Sequence, residues 1–240
     1  MHVERWGEGQ PILFIHGSGC TSEIWGRQKE YLHASMQVVL IDLPGHGRST
    51  GDGCASVEEY GDAAYRALKA GTPYCVAGHS LGGAIAMYLA LSRPDFVNGI
   101  ILIGTGARLK VLPSILEGIK RERERTVGEI NALCFSRATP AAARAEVLGM
   151  MMGCAPEVIH KDFSACDRFD IMNSVGSIRV PTLILCGEDD ALTPAKYSRF
   201  LNEQIPDSKL ALIKDAGHMV MVEKPDEVNG AIEVFLKGRR

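Results

Sequence analysis

Three groups of residues in this chain of 240 have types and spacing suited to bond-breaking chemistry: a serine between paired glycines, a carboxylate run and a late histidine. Ser80 stands in Gly78-His79-Ser80-Leu81-Gly82. A serine hydroxyl is a weak nucleophile until a base takes its proton. Of the seven histidines, His218 in Asp215-Ala216-Gly217-His218 is the best-placed base, because it directly follows the last apolar run. His79 adjoins Ser80 but would point away from its hydroxyl in a sharp turn, and His16 is better suited to supporting the loop after it. His2, His33, His46 and His160 have no comparable setting. A base of this kind needs an acid that holds its tautomer and stabilises the imidazolium. Gly187-Glu188-Asp189-Asp190 offers three carboxylates, and spacing alone does not separate Asp189 from Asp190.

These residues must be delivered by a scaffold, and the apolar pattern supplies one. Runs at 11–15, 38–41, 73–77, 99–103, 181–186 and 209–213 are continuously apolar, as strands covered on both faces should be. Helical patterns separate them, including 25–34, a stretch from Ser56 to about Lys69 with Glu59 in reciprocal capping position, Leu81 to about Ser92, one beginning at Pro194 with Thr193 as its cap, and Pro225 to about Leu236. Strand–helix alternation predicts a mainly parallel sheet flanked by helices. The rhythm stops between about Arg108 and Gly176, where helices near 113–125, 126–135, 140–152 and 156–165 fit, with Pro140 and Pro156 at first turns. The expected organisation is one α/β core, 1–107 and 177–240, interrupted by a helical insertion over 108–176.

The Ser80 motif lies between an apolar strand and a helix, which is the setting of a nucleophile elbow. Such a turn is so tight that side chains at 78 and 82 would collide across it. Negative charge developing on a substrate oxygen would be received by backbone N–H groups: Leu81, directly after the serine, and Ser18, in the loop His16-Gly17-Ser18-Gly19. That loop lacks the Lys-Ser/Thr ending of a phosphate-binding loop and the spacing of a dinucleotide fingerprint, so no nucleotide cofactor is expected. Trp25 and Met219 flank this constellation and are candidates for an apolar substrate pocket, and Met150-Met151-Met152 supplies adaptable side chains in the insertion.

Composition narrows the partners. With 26 Lys and Arg against 29 Asp and Glu, the formal charge is -3, which gives no footprint for nucleic acid. The longest apolar runs fall short of a membrane span, and Met1-His2-Val3-Glu4-Arg5-Trp6 does not read as a secretory signal. Seven cysteines, without a Cys-x-x-Cys pair or zinc-like spacing, fit reduced thiols in the cytoplasm, and no metal is expected. Lys120-Arg121-Glu122-Arg123-Glu124-Arg125 is best read as a solvated helix face, with an acidic carrier protein bearing the substrate as the sharper alternative.

Taken together, the chain resembles the α/β-hydrolase superfamily over nearly its whole length. His16-Gly17-Ser18-Gly19 is similar to its oxyanion loop, Asp42-Leu43-Pro44-Gly45-His46-Gly47-Arg48-Ser49 to the loop that follows, and Gly78-His79-Ser80-Leu81-Gly82-Gly83 to its nucleophile region. Gly187-Glu188-Asp189-Asp190-Ala191-Leu192-Thr193-Pro194 resembles its acid segment, and this register implies Asp190. Gly217-His218 with Glu223-Lys224-Pro225 resembles the base segment. The order Ser80, Asp190, His218 is the family's order. The resemblance implies an α/β-hydrolase fold with an inserted helical cap, and a cytoplasmic serine esterase working without cofactors on a small-molecule acyl ester of small or medium size. Small carboxylesterases and the pimeloyl-carrier-protein methyl ester esterase group share the general pattern. Thioesterases, lactonases and carbon–carbon bond hydrolases use the same machinery, and a noncatalytic ligand-binding protein is the competing class.

Overall fold

Six apolar runs become six parallel strands, and in all but the last the side chains alternate between two buried faces. In the computed structural model, which describes residues 1–68 and 71–238, the elements are β1 (His2–Trp6), β2 (Pro11–Ile15), α1 (Gly26–Leu32), β3 (Gln37–Asp42), α2 (Val57–Leu68), β4 (Tyr74–His79), α3 (Leu81–Ser92) and β5 (Val97–Ile103). There follow α4 (Pro113–Arg121), α5 (Arg123–Leu133), α6 (Ala141–Gly153), α7 (Pro156–Arg168), β6 (Thr182–Gly187), α8 (Ala195–Gln204), β7 (Ser208–Ile213), α9 (Val220–Glu223) and α10 (Pro225–Lys237). The sheet order is β1-β3-β2-β4-β5-β6-β7. Only β1 is antiparallel, pairing with β3.

Neighbouring strand residues feed opposite cores, as a period of two requires. Ile12 and Phe14 join the side chains of α10 and of the segment between β5 and β6. Leu13 and Ile15 join α2, α3 and α8 on the other face. Covering both faces is why the parallel strands read as unbroken apolar runs.

The topology also fixes where a site can form. From β2 the chain moves outward to β3, then returns to the opposite side of β2 for β4. The loops leaving β2 and β4 therefore diverge at the carboxyl edge of the sheet, and such switch points open a crevice for ligands. Ser18 follows β2 and Ser80 follows β4.

Several boundaries differ from expectation for local reasons. The edge strand β1 carries polar and apolar residues in mixture and has no buried position, so it lacks the signal of its neighbours. The 25–34 helix divides into a 3-10 turn, Ser22–Trp25, and α1. In the segment between β5 and β6 the first break falls at Glu122, whose φ of -141° and ψ of 51° leave the helical region, so α5 begins at Arg123 rather than 126. Pro156 opens α7, whereas Pro140 precedes α6 as its N-cap residue. Pro194, not Thr193, occupies the N-cap of α8. Ser56 Oγ accepts the Glu59 N–H at 3.2 Å, while the Glu59 carboxylate takes the Ala55 N–H at 2.8 Å instead of closing a reciprocal box. Lys69, the expected end of that helix, lies outside the described residues.

Candidate active site

Ser80 is one of two non-glycine residues with positive φ among the described residues, at φ 52° and ψ -114°. Holding a side-chain-bearing residue there costs on the order of 1–3 kcal/mol, so the surroundings must over-determine it. They do so through glycine: a Cβ on Gly78 would lie 2.0 Å from the Gly82 carbonyl oxygen, and one on Gly82 would lie 2.2 Å from that of Ile15. The Ser80 N–H donates to the Ile103 carbonyl at 3.0 Å, and Thr105 Oγ1 donates to the Ser80 carbonyl at 2.9 Å. The turn is thus tied to the end of β5 and the loop after it, and the hydroxyl makes no hydrogen bond of its own among the described residues.

His218 sits in the loop between β7 and α9, with its imidazole buried. Its Nδ1 lies 2.9 Å from Asp190 Oδ2 and 3.1 Å from Thr193 Oγ1. With Nδ1–H donated to the carboxylate, Nε2 keeps its lone pair, the form a general base requires. Asp190 also accepts the N–H groups of Leu192 and Thr193, at 2.9 and 2.8 Å, and the Thr193 hydroxyl at 2.8 Å. Burial pushes its pKa up, but His218 and the Thr193 donors outweigh that and hold it below the usual carboxylate value. Asp190 is buried whereas Glu188 and Asp189 are exposed, so burial separates the neighbours that spacing left level.

The His218 loop has further supports that sequence reasoning missed. His79 Nε2 donates to the His218 carbonyl at 3.1 Å, and the two rings sit 4.6 Å apart. Burial and the nearby His218 keep the His79 pKa well below its ordinary value. Glu223 accepts the Gly217 N–H at 2.7 Å and the Ser136 N–H at 2.9 Å, and Met219 N–H donates to the Cys134 carbonyl at 3.0 Å. The adjacency of His79 to Ser80 and the Gly217–Glu223 spacing were readable, but nothing local disclosed their partners.

On the opposite side, the backbone N–H groups of Ser18 and Leu81 donate to no acceptor among the described residues. Leu81 N–H gains the positive end of α3 as well. His16 accepts the Leu43 N–H at Nε2, 3.0 Å away, and its Nδ1 is 2.9 Å from the Gly17 carbonyl, so it ties the loop after β2 to the loop after β3, as expected.

The chain matches the alpha/beta hydrolase family over residues 12–231. It belongs to that family. It is 31% identical over 95% of its length to a putative carbamate hydrolase, RutD, of Azorhizobium caulinodans, covering 92% of that protein. It is 28% identical over 97% of its length to a pimeloyl-[acyl-carrier protein] methyl ester esterase of Cronobacter sakazakii, covering 95% of that protein. A solved thermophilic esterase superposes with a TM-score of 0.87 at 38% identity, over 99% of this chain and 98% of that one.

In this α/β hydrolase, Ser18, Ser80, His79 and His218 line one cavity of about 220 Å³. Met219 is in its wall, with Met151, Ile130, Val147, Phe163 and Leu192. Met150 and Met152 pack on the core beside Met151, the one member of the run that reaches the cavity. Trp25 does not belong to the wall. Its ring is fully buried 5.0 Å from that of Phe14, because the 3-10 turn directs it back onto β2, and its role is packing. Cys20, Cys134 and Cys166 also line the cavity. Burial raises all three thiols, Cys20 and Cys166 to about 12, so they act as small apolar surface. Thr193, read from sequence as a helix cap, instead bridges Asp190 and His218.

A second buried polar cluster was not foreseen. His46 Nε2 lies 2.8 Å from Asp162 Oδ2 and its Nδ1 lies 3.1 Å from the Pro44 carbonyl. Burial works against charge on His46, but Asp162 prevails and pushes it up to about 10. Neighbouring His16 is pushed down to about 4 by burial and by His46.

Two outcomes follow from these contacts. Asp190→Asn is expected to lower kcat about 10³–10⁴-fold on a responsive ester, while Asp189→Asn stays within about twofold of the parent; steady-state kinetics of both variants check this. His46 is expected to show an imidazolium 15N pattern at pH 8, with His16 neutral at pH 6. Because the folded pKa of His46 is raised, its contribution to stability is complete below about pH 6.5 and lost as pH rises toward 10. A neutral His46 at pH 8 would contradict the ion pair.

Proposed function

We propose that the protein is a serine-dependent carboxylic ester hydrolase acting on small or medium acyl esters through an acyl-enzyme. The observation that carries the reading is that a strained Ser80, its hydroxyl free of hydrogen bonds among the described residues, and an Asp190-oriented His218 line one apolar cavity. His218 Nε2 takes the hydroxyl proton as Ser80 Oγ attacks the carbonyl carbon. The Ser18 and Leu81 N–H groups receive the oxyanion, and each such donor is worth about 3 kcal/mol in the transition state. The proton passes from His218 to the departing alcohol, then His218 activates water, which releases the acid and restores Ser80.

We assign the segment 108–176 as a cap. The cavity wall draws Ile130, Val147, Met151 and Phe163 from it, which supports a role in selecting the acyl group. The relatives named esterases support carboxylic esters over other acyl bonds. A carrier-linked substrate has less support, because arginines of the 120–125 run are engaged within the molecule. Arg121 pairs with Glu117, Arg125 with Glu122 and Glu129, and Arg123 with the Met152 and Cys154 carbonyls. No helix among the described residues is long and apolar enough to cross a membrane. Seven free thiols, six of them buried, support residence in a reducing cytoplasm.

The test is a panel of aliphatic esters, thioesters, lactones and carrier-linked esters with Ser80→Ala as the control. Hydrolysis of short and medium esters is expected to exceed that of the other classes and to fall at least about 10⁴-fold in Ser80→Ala. Equal turnover by parent and variant would overturn the nucleophile, and preference for another acyl class would overturn the substrate.

A further inference from the structure

One buried carboxylate takes no part in the proton transfers described above, yet it reaches the oxyanion loop. Asp162 lies on α7, and its side chain is wholly buried. Oδ2 accepts the Gly19 N–H at 2.9 Å as well as His46 Nε2–H at 2.8 Å, and Oδ1 accepts the Tyr60 hydroxyl at 2.5 Å. The three donors come from three elements: the loop after β2, the loop after β3, and α2. The loop and α7 also approach closely here, since a Cβ on Gly19 would stand 3.4 Å from Ile159 Cγ1 of α7.

A carboxylate removed from water is tolerated when hydrogen bonds and an opposite charge replace its hydration, and breaking such a set is costly. Asp162 is therefore held in place by two partners, His46 and Tyr60, that do not touch the cavity wall. The third, Gly19 N–H, adjoins the peptide of Ser18. Only the φ and ψ of Ser18 separate the anchored N–H from the free one, and Gly19 turns the chain immediately beyond, with φ of +67°. An oxyanion donor works only when its aim is held before the charge develops, and an error near 1 Å costs roughly 100-fold in rate.

We propose that Asp162 is a positioning residue for the oxyanion hole: clamped by His46 and Tyr60, it holds the Gly19 N–H and thereby aims the Ser18 N–H at the substrate carbonyl. The inference rests on the reading of Ser80 as the nucleophile of an ester hydrolase. It makes α7 a fixed brace of the site, joined to the oxyanion loop.

The test uses the full chain and compares the parent with Asp162→Asn and Tyr60→Phe, active sites being counted by exhaustive fluorophosphonate titration. Two further ligands separate aim from folding: an alkyl trifluoromethyl ketone, which adds to serine as an oxyanion, and the matching alkyl amide, which binds without reacting. In Asp162→Asn, kcat per titrated site is expected to fall about 10–100-fold with KM within about threefold. Ketone affinity should fall in step, and amide affinity should hold. Tyr60→Phe, which deletes one hydroxyl, should show the same pattern at about threefold or more. Should Asp162→Asn fail to fold, Tyr60→Phe decides alone. Unchanged kcat and ketone affinity per site, even with a lowered melting temperature, would overturn the proposal. Retained hydrolysis in Ser80→Ala would instead mark failure of the nucleophile assignment, whatever the Asp162 result.

Discussion

Backbone meets backbone at the turn between β4 and α3, and the geometry of the site depends on that approach. Gly78 and Gly82 leave no room for a side chain, so the chain reverses inside a radius that only paired glycines permit. The reversal drives Ser80 into positive φ, puts its hydroxyl at the cavity wall and starts α3 with a free N–H directly behind it. The strain is held by bonds to the neighbouring strand and to Thr105, which is why the serine can sit half-buried at the carboxyl edge without relaxing into an ordinary helix cap. Everything else has to be brought to this fixed point. The switch in strand order brings the Ser18 loop, and β6 and β7 deliver Asp190 and His218.

Each delivered residue is held by a buried polar contact, and several of these run to the segment between β5 and β6. Glu223 joins the His218 loop to Ser136, and Asp162 joins the loop after β2 to α7. Hydrogen bonds of this kind contribute modestly to net stability but are expensive to leave unmade once buried. The helical segment therefore does more than line the cavity. It completes the hydrogen bonding of the two loops that flank Ser80, so its packing and the alignment of the site are coupled.

The parallel core was legible because burial on both faces imprints continuous apolar runs, as at Ile12–Ile15 and Ile100–Ile103. The tight turn at Ser80 was legible because its steric demand is local: two glycines, a strand before and a helix after. β1 was not, because an exposed edge imposes no such pattern on His2–Trp6. Thr193 was read as a cap from its place before Pro194, although its hydroxyl is spent on Asp190 and its helix starts later. Trp25 sat close to the oxyanion loop in sequence, yet a 3-10 turn directs it into the core. Asp162 and His46 are separated by 116 residues, and nothing near either one announces the other. Local rules recover what local sterics dictate, whereas long-range polar pairing emerges only from the folded chain.

The central claim is covalent attack by Ser80, and carbamoylation tests it most directly. A p-nitrophenyl carbamate should release nitrophenolate in a burst stoichiometric with enzyme, and the carbamoyl mass should reside on the peptide containing Ser80. Recovery of esterase activity should track loss of that mass. A carbamoyl group on another residue, or full ester turnover by enzyme carbamoylated at Ser80, would contradict the account.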